Sequence, residues 1–337
     1  MELIFWSIVF VVSLFSLIKG ADWLVENSEK IALALKISPF IIGVTIVALG
    51  TSLPELASSV LAVVKGASEM VTANVVGSNI ANILLIVGLS AIATKSFLAV
   101  ERSLIDIDLP LLAAVTTVFG FVIWDQEINL REGILLLITF LIYVFYTIYE
   151  REEKPQEIFP EEKVKEKDQI VEVLPSRIER RKPKEKPEKI NFKVFLFLIL
   201  GILLLGGGAN FLVDSVVNLA RILKIGISVI TIFGVAVGTS LPELIVSVRS
   251  AFQKKYEIAI GNVFGSNVFN SLVVAGIPAL IKPLFVDKIT LSVGFPFMVG
   301  ATILLIISGI TRRISMWEGL MYLTIYFLFL AKLFFLF

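Results

Sequence analysis

The stretch Gly50-Thr51-Ser52-Leu53-Pro54-Glu55 carries a carboxylate into the middle of an apolar run, and the chain contains it twice. The second copy, Gly238-Thr239-Ser240-Leu241-Pro242-Glu243, begins 188 residues later. Another pair of segments, Gly77-Ser78-Asn79-Ile80-Ala81-Asn82 and Gly265-Ser266-Asn267-Val268-Phe269-Asn270, repeats at the same offset. Because no insertion or deletion separates the two motifs within either half, the chain is a duplicated unit.

The composition indicates a helical membrane protein. The 337 residues are 57% hydrophobic with a mean hydropathy of +0.91, and apolar runs of about 18 to 25 residues, long enough to cross a bilayer, recur throughout. The first run has no basic leader or small-residue cleavage site, so we interpret it as a retained helix. The chain contains no cysteine and no histidine. This excludes disulfides, thiolate or imidazole metal sites and histidine catalysis, so any cation site must be built from oxygen.

Hydropathy predicts ten transmembrane helices arranged as two inverted five-helix repeats, an all-α polytopic membrane fold. The first repeat covers residues 1–149, a charged linker covers 150–191, and the second repeat covers 192–337. The predicted spans lie near 3–25 (with an extension to about 35 left open), 39–64, 71–94, 104–123, 130–149, 192–220, 226–252, 258–281, 289–310 and 315–336.

An odd number of spans in each repeat inverts the second copy relative to the first, which leaves both termini on one side of the membrane. The linker and the loops on its side are rich in Lys and Arg, for example Lys254 and Lys255, so we expect that side to be cytoplasmic and both termini to lie outside. The expected location is the plasma membrane.

Two carboxylates, Glu55 and Glu243, lie in mid-span, where an acidic residue is by default functional and faces the protein interior or water. Hydroxyls accompany them at Thr51, Ser52, Thr239 and Ser240. Each motif also contains a proline, which leaves the carbonyl four residues earlier without its helical donor and predicts a break in the helix.

The second motif adds Ser78 with Asn82, and Ser266 with Asn270, each pair on one helix face. All are hard oxygen donors suited to Ca²⁺ and Na⁺. Alternatives stay open, because single hydroxyls often bond to their own helix and asparagines can join helices.

Other acidic residues are weaker candidates. Asp106 and Asp108 lack duplicated partners and are expected near the start of the fourth span. Asp22 and Glu26 do have polar partners at the repeat offset, Asn210 and Asp214. They are either gate residues or ordinary interfacial residues, and the second interpretation is favoured.

These paired motifs resemble the two alpha-repeats of the sodium/calcium exchanger family, within the cation/calcium exchanger superfamily. The resemblance covers both halves and implies an antiporter in which Glu55 and Glu243 are shared between Na⁺ and Ca²⁺. It also implies a ligand set of side chains and backbone carbonyls: Thr51, Ser52, Ser78, Thr239, Ser240 and Ser266, the carbonyls of Ala48 and Ala236, with Asn82 and Asn270 in the remaining polar corner.

Asn270 stands where potassium-dependent exchangers and some prokaryotic members carry Asp, so the resemblance implies K⁺-independent exchange. By the same resemblance, the threonine-serine-proline form of the first motif, where proton/calcium exchangers usually carry Gly-Asn-Ala-x-Glu, favours Na⁺ over H⁺ as the driving ion. A Ca²⁺/H⁺ antiporter on the same scaffold is the alternative, and a passive cation channel is a third.

The expected activity is electrogenic Na⁺/Ca²⁺ antiport by alternating access. We expect no cofactor, no enzymatic activity, no nucleic acid and no obligate protein partner. The expected substrates are Na⁺ and Ca²⁺, and we expect the protein to be embedded in the lipid bilayer. An intramembrane hydrolase is disfavoured because catalysis has no need of two equivalent half-sites.

Overall fold

The computed structural model describes residues 2–35, 39–64, 66–94, 97–100, 108–153, 191–222 and 240–333. The described part is almost entirely helical. The helices, with their π-helical turns, are α1 (Glu2–Leu35), α2 (Pro39–Ile42, π-helical Gly43–Val47, Ala48–Val64), α3 (Glu69–Ile80, π-helical Ala81–Val87, Gly88–Ala93), α4 (Leu109–Val122), α5 (Leu130–Glu153), α6 (Phe192–Ile222), α7 (Leu241–Phe252), α8 (Tyr256–Phe269, π-helical Asn270–Val274, Ala275–Ile281), α9 (π-helical Thr290–Gly294, Phe295–Ile310) and α10 (Met316–Leu333).

Eight of these helices are long and apolar enough to cross a membrane, counted over the described residues. The other two, α4 and α7, have 14 and 12 described residues, and each follows residues outside the described ranges. The polytopic helical membrane fold is therefore confirmed, whereas the count of ten spans stays a prediction.

Most predicted span boundaries agree with the helices to within a few residues. The first helix takes the longer of its two expected forms and reaches Leu35. Helix α5 continues to Glu153, so its last residues enter the segment predicted as linker. The remainder of that linker, residues 154–190, lies outside the described residues.

Local signals set several helix ends. At the start of α5, Asn129 Oδ1 accepts a hydrogen bond from the backbone N–H of Arg131 at 2.9 Å, and Glu132 Oε2 accepts one from the Asn129 N–H at 2.8 Å. Ser315 and Glu318 form a similar reciprocal pair at the start of α10. Gly66, with φ of +83°, ends α2 in a left-handed turn that glycine adopts without strain.

Two short antiparallel ladders show how the halves are related. Strand β1 (Phe97–Ala99) pairs with β4 (Arg313–Ser315), and β2 (Glu127–Ile128) pairs with β3 (Leu284–Phe285). Phe97 is opposite Ser315, and Glu127 is opposite Phe285. The repeat offset converts the first pair into the second, so exchanging the halves exchanges the ladders.

The ladders lie at opposite ends of α4, because β1 precedes this helix and β2 follows it. An operation that exchanges the halves must therefore also turn the helices end over end. This is the relation expected of inverted repeats.

Helices α1 and α6 pack along each other through small residues. A Cβ added to Gly20 would lie 2.9 Å from the carbonyl oxygen of Gly201, and one added to Gly208 would lie 3.2 Å from that of Ser13. Ser16 Oγ donates to the carbonyl oxygen of Leu204 at 3.2 Å. Leu204 is the residue that corresponds to Ser16 in the second repeat. The hydrophobic cluster around this pair also includes residues of α2, α7 and α8, such as Ile42, Leu241 and Ile258, and it is distinct from a larger cluster elsewhere in the protein.

Candidate functional site

A glycine lets helix α8 approach α2 where the two motifs meet. A Cβ added to Gly265 would lie 2.6 Å from the Ala48 Cβ and would also collide with the carbonyl oxygen of Val44. Carbon atoms are at their optimal separation near 3.5 to 4.0 Å. Only glycine therefore fits at position 265 with the helices this close, and Ser266 is brought against α2.

Ser52 joins the two halves at this contact. Its Oγ lies 2.7 Å from Glu243 Oε1 and 3.0 Å from Ser266 Oγ. Because an ionised carboxylate only accepts hydrogen bonds, Ser52 donates to Glu243. Ser52, Ser266 and Glu243 are each at most 1% exposed, so the sequence motifs of opposite halves meet inside the protein.

Glu55 lies one turn after Ser52 on the same face of α2. It is 1% exposed, and Ser52, one turn earlier, bonds to the carboxylate of Glu243. Neither carboxylate oxygen of Glu55, nor Oε2 of Glu243, has a hydrogen-bond partner among the described residues. Buried polar atoms without partners are rare and call for an explanation such as an ion or water.

Asn82 and Asn270 are also buried polar residues without hydrogen-bond partners among the described residues. Each is 1% exposed, and the side-chain amides of both have no hydrogen-bond partner within the described ranges. The π-helical turns begin at Ala81 and at Asn270, which are neighbouring positions of the repeat. Such turns are frequent at functional sites. The chemistry of these oxygens fits Na⁺ or Ca²⁺, which are bound by carboxylate, amide, hydroxyl and carbonyl groups.

The remaining predicted ligands are distributed as follows. Thr51 is fully buried, and its Oγ1 lies 3.3 Å from the carbonyl oxygen of Ala48, another predicted ligand. Ser78 and Ser240 are each 5% exposed. Thr239 and Ala236 lie outside the described residues. The structure therefore brings members of both motifs together, and their role as ion ligands stays a prediction.

The expected helix break at Pro54 is wrong. Helix α2 continues through Pro54 from Ala48 to Val64, and its irregular stretch is the π-helical segment Gly43–Val47 that precedes it. In the second half, α7 begins at Leu241 with Pro242 in its first turn, a position that proline tolerates well. Glu243 also falls in that first turn, where the helix dipole favours a negative charge.

Sequence reasoning missed an Asn-Ser pair in each half, buried in the second half and partly buried in the first. Asn262 Nδ2 donates to Ser247 Oγ at 2.9 Å, and Asn74 Nδ2 donates to Ser59 Oγ at 3.3 Å. Both residues of one pair are identical to those of the other at the repeat offset. A search for identical polar residues at the repeat offset, which identified the two motifs, would also have found these pairs.

Two acidic residues of α1, Asp22 and Glu29, form ion pairs with basic residues at and just beyond the end of α7. Asp22 accepts a hydrogen bond from Arg249 Nε at 2.8 Å and one from Gln253 Nε2 at 3.0 Å. Glu29 pairs with Lys255 at 2.6 Å. These contacts join α1 to the neighbouring helices, whereas Glu26 is exposed. Asp108, the residue before α4, is buried at the start of that helix.

Comparisons with known proteins agree on one family. The family model described as sodium/calcium exchanger protein matches residues 5–149 and 193–335. The chain is 34% identical to the sodium/calcium exchanger MaX1 of Methanosarcina acetivorans, with 98% of each chain covered. It is 32% identical to the putative antiporter CaxA of Alkalimonas amylolytica, with 93% of each covered.

The fold is similar to that of a solved structure, the sodium-calcium exchanger NCX_Mj from a crystal soaked with zero Na⁺ and Ca²⁺. The TM-score is 0.78 at 30% identity, and the match covers 98% of this chain and 99% of that one. Since the family model covers both repeats and the relatives are matched over nearly their whole length, the chain belongs to the sodium/calcium exchanger family.

Proposed function

We propose that this protein is a secondary active antiporter, and not an enzyme, that exchanges Na⁺ for Ca²⁺ at an oxygen site between its two halves. The observation that carries the proposal is the pair of buried carboxylates, Glu55 and Glu243, with three oxygens that lack partners among the described residues. An unpaired buried charge costs several kcal/mol. A bound cation would offset that cost, and the ligand atoms proposed for it are all oxygens.

The ions would be held by the two motifs of each half. The proposed ligands are the side chains of Thr51, Ser52, Glu55, Ser78, Asn82, Thr239, Ser240, Glu243, Ser266 and Asn270, and the carbonyls of Ala48 and Ala236. The names of the relatives, a sodium/calcium exchanger and a sodium-calcium exchanger with crystals soaked in both ions, support these substrates. No cofactor and no protein partner are proposed.

Electrogenic exchange follows from charge. Two carboxylates balance one Ca²⁺, and the three Na⁺ per Ca²⁺ implied by the family resemblance carry one further charge. Moving that charge through 100 mV corresponds to about 2.3 kcal/mol. Since Asn270 supplies no third negative charge at the position where potassium-dependent exchangers carry Asp, we propose that K⁺ takes no part.

Strict coupling has the same physical origin. A site with two uncompensated carboxylates is costly to move through a lipid-facing barrier, so the carrier changes its facing only when ions occupy it. Helices α1 and α6 pack against each other through glycines, and the family resemblance implies that they are the elements that would slide against the remainder. The proposed setting is the plasma membrane, with the linker cytoplasmic and both termini outside.

The test is uptake of radioactive Ca²⁺ into proteoliposomes loaded with Na⁺. We expect saturable uptake that requires the outward Na⁺ gradient, is accelerated by an inside-positive potential, and is unchanged when choline replaces K⁺. Uptake driven by a pH gradient without Na⁺ would favour the Ca²⁺/H⁺ alternative. Rapid Ca²⁺ efflux into a solution without Na⁺ or Ca²⁺ would contradict strict coupling and favour a channel.

A further inference from the structure

The buried residue Asn262 lies one turn before Ser266 on α8 and faces a proposed ligand. It is fully buried, and its Oδ1 lies 3.1 Å from Thr51 Oγ1. Its Nδ2 lies 2.9 Å from Ser247 Oγ and 3.4 Å from the carbonyl oxygen of Glu243. A backbone carbonyl can only accept, so the amide nitrogen must point to Glu243 and the amide oxygen to Thr51.

This orientation decides where the Thr51 hydroxyl proton goes. A hydroxyl has one proton and two lone pairs. Its two hydrogen-bonding neighbours, Asn262 Oδ1 and the Ala48 carbonyl oxygen, are both acceptors. The proton therefore points to them, and the lone pairs of Oγ1 remain for a cation.

Without Asn262, the Thr51 hydroxyl would have a competing acceptor at the site itself. The carboxylate of Glu243 lies on this side of α2, where Ser52, the residue after Thr51, donates to it. A hydroxyl that donated to this carboxylate would aim its proton into the space where the cation binds. It would also use a carboxylate lone pair that the ion needs, and both effects weaken cation binding.

A related contact is present in the other half, although its hydroxyl lies on the same helix as the asparagine, and the repeat counterpart of Thr51, Thr239, lies outside the described residues. Asn74, at the repeat offset from Asn262, donates to Ser59, and its Oδ1 accepts from the hydroxyl of Ser78, another proposed ligand, at 3.4 Å. Each asparagine thus bonds to a serine with its nitrogen and to a ligand hydroxyl with its oxygen.

We propose that Asn262 and Asn74 are positioning residues that hold the protons of ligand hydroxyls away from the ion, and so set the affinity of the site. The inference rests on the proposed function only in taking Thr51 and Ser78 as ion ligands. Losing one oriented hydroxyl should raise the half-saturating Ca²⁺ concentration about fivefold, since a hydrogen bond contributes about 1 kcal/mol. The maximal rate should change less, because the carboxylates remain.

The experiment is a double-mutant cycle between Asn262 and Thr51 in the full-length protein. Asn262→Leu is made alone and together with Thr51→Val, which removes the hydroxyl at nearly constant shape, and Asn262→Ala serves as a second variant in case Leu impairs folding. Ca²⁺ binding is measured as the rise in melting temperature with Ca²⁺ concentration, and transport is measured separately as Na⁺-driven uptake. The melting temperature without ions reports on folding.

The expected result is a fivefold weakening of Ca²⁺ binding by the Asn262 substitution in the parent protein and less than a twofold change once Thr51 is Val. Equal weakening on both backgrounds would mean that Asn262 acts through structure alone and would overturn the proposal. Unchanged binding in the single variants would overturn it as well. A parent protein that binds Ca²⁺ without Na⁺-driven uptake would refute the proposed exchange while leaving the cycle readable.

Discussion

The closest approach at the site, between Gly265 of α8 and α2, supports the sharpest prediction. In Gly265→Ala the new Cβ would lie 2.6 Å from the Ala48 Cβ and would also meet the Val44 carbonyl oxygen. Restoring an ordinary contact requires the helices to separate by about 1 Å. Ser266 Oγ, now 3.0 Å from Ser52 Oγ, would then lie about 4 Å away, outside hydrogen-bonding distance.

The expected cost is about 1 to 3 kcal/mol of stability, the usual range for overpacking a well-packed interior. Ca²⁺ binding should weaken as well, because the Ser52 and Ser266 oxygens lose their relative positions. The assay is thermal unfolding of the purified protein in detergent, first without ions and then over a series of Ca²⁺ concentrations. A ligand that binds only the folded state raises its stability with concentration.

Gly300→Ala is the matched control. It lies within α9, and a Cβ there meets no atom of the described residues within 4 Å. Since Ala is favoured over Gly in a helix by up to about 1 kcal/mol, this variant should be neutral or slightly stabilised. If Gly265→Ala melts like the control and binds Ca²⁺ like the parent, the close approach does not set the geometry of the site.

Three further predictions concern charge. Glu55→Gln and Glu243→Gln should each abolish Na⁺-driven Ca²⁺ uptake, because one remaining carboxylate cannot balance Ca²⁺; appreciable uptake by either variant would place the site elsewhere. Asn270→Asp adds a third acidic group and should make uptake sensitive to K⁺ in external solution, whereas the parent shows no difference between K⁺ and choline; K⁺-sensitive parent protein would contradict the proposal. Asp22→Asn should lower the melting temperature only slightly, because the side chain of its partner Arg249 is 40% exposed. Exposed ion pairs contribute about 1 kcal/mol or less to stability. A large decrease in melting temperature would show that the pair is effectively buried in the membrane protein.

The helices follow from the sequence because hydropathy is a local property. Pro39–Val64 was predicted to the residue, and Thr290–Ile310 to within one residue at its start. The duplication could likewise be detected without a structure, since a constant offset is a property of the chain alone. Proline was misleading at Pro54 because local rules state which backbone bond is lost, whereas surrounding helices decide whether the helix bends.

The contacts between the two halves could not be predicted from the sequence. The bond from Ser52 to Glu243 and the contact of Asn262 with Thr51 join residues about two hundred positions apart, and nothing in either segment specifies the distance between their helices. That distance depends on small features such as the missing Cβ of Gly265. The pair Asp22 and Arg249 illustrates the same limit, because it has no counterpart at the repeat offset.

The sequence by itself determined that the chain is a duplicated, membrane-embedded helical protein with one carboxylate in the same motif of each half, because periodicity, hydropathy and residue identity are properties of the linear chain. Only the tertiary structure decided which hydroxyl donates to which carboxylate and which asparagine contacts which hydroxyl. Those relations depend on how closely helices from opposite halves cross, and hydrogen bonds form only within about 3.5 Å.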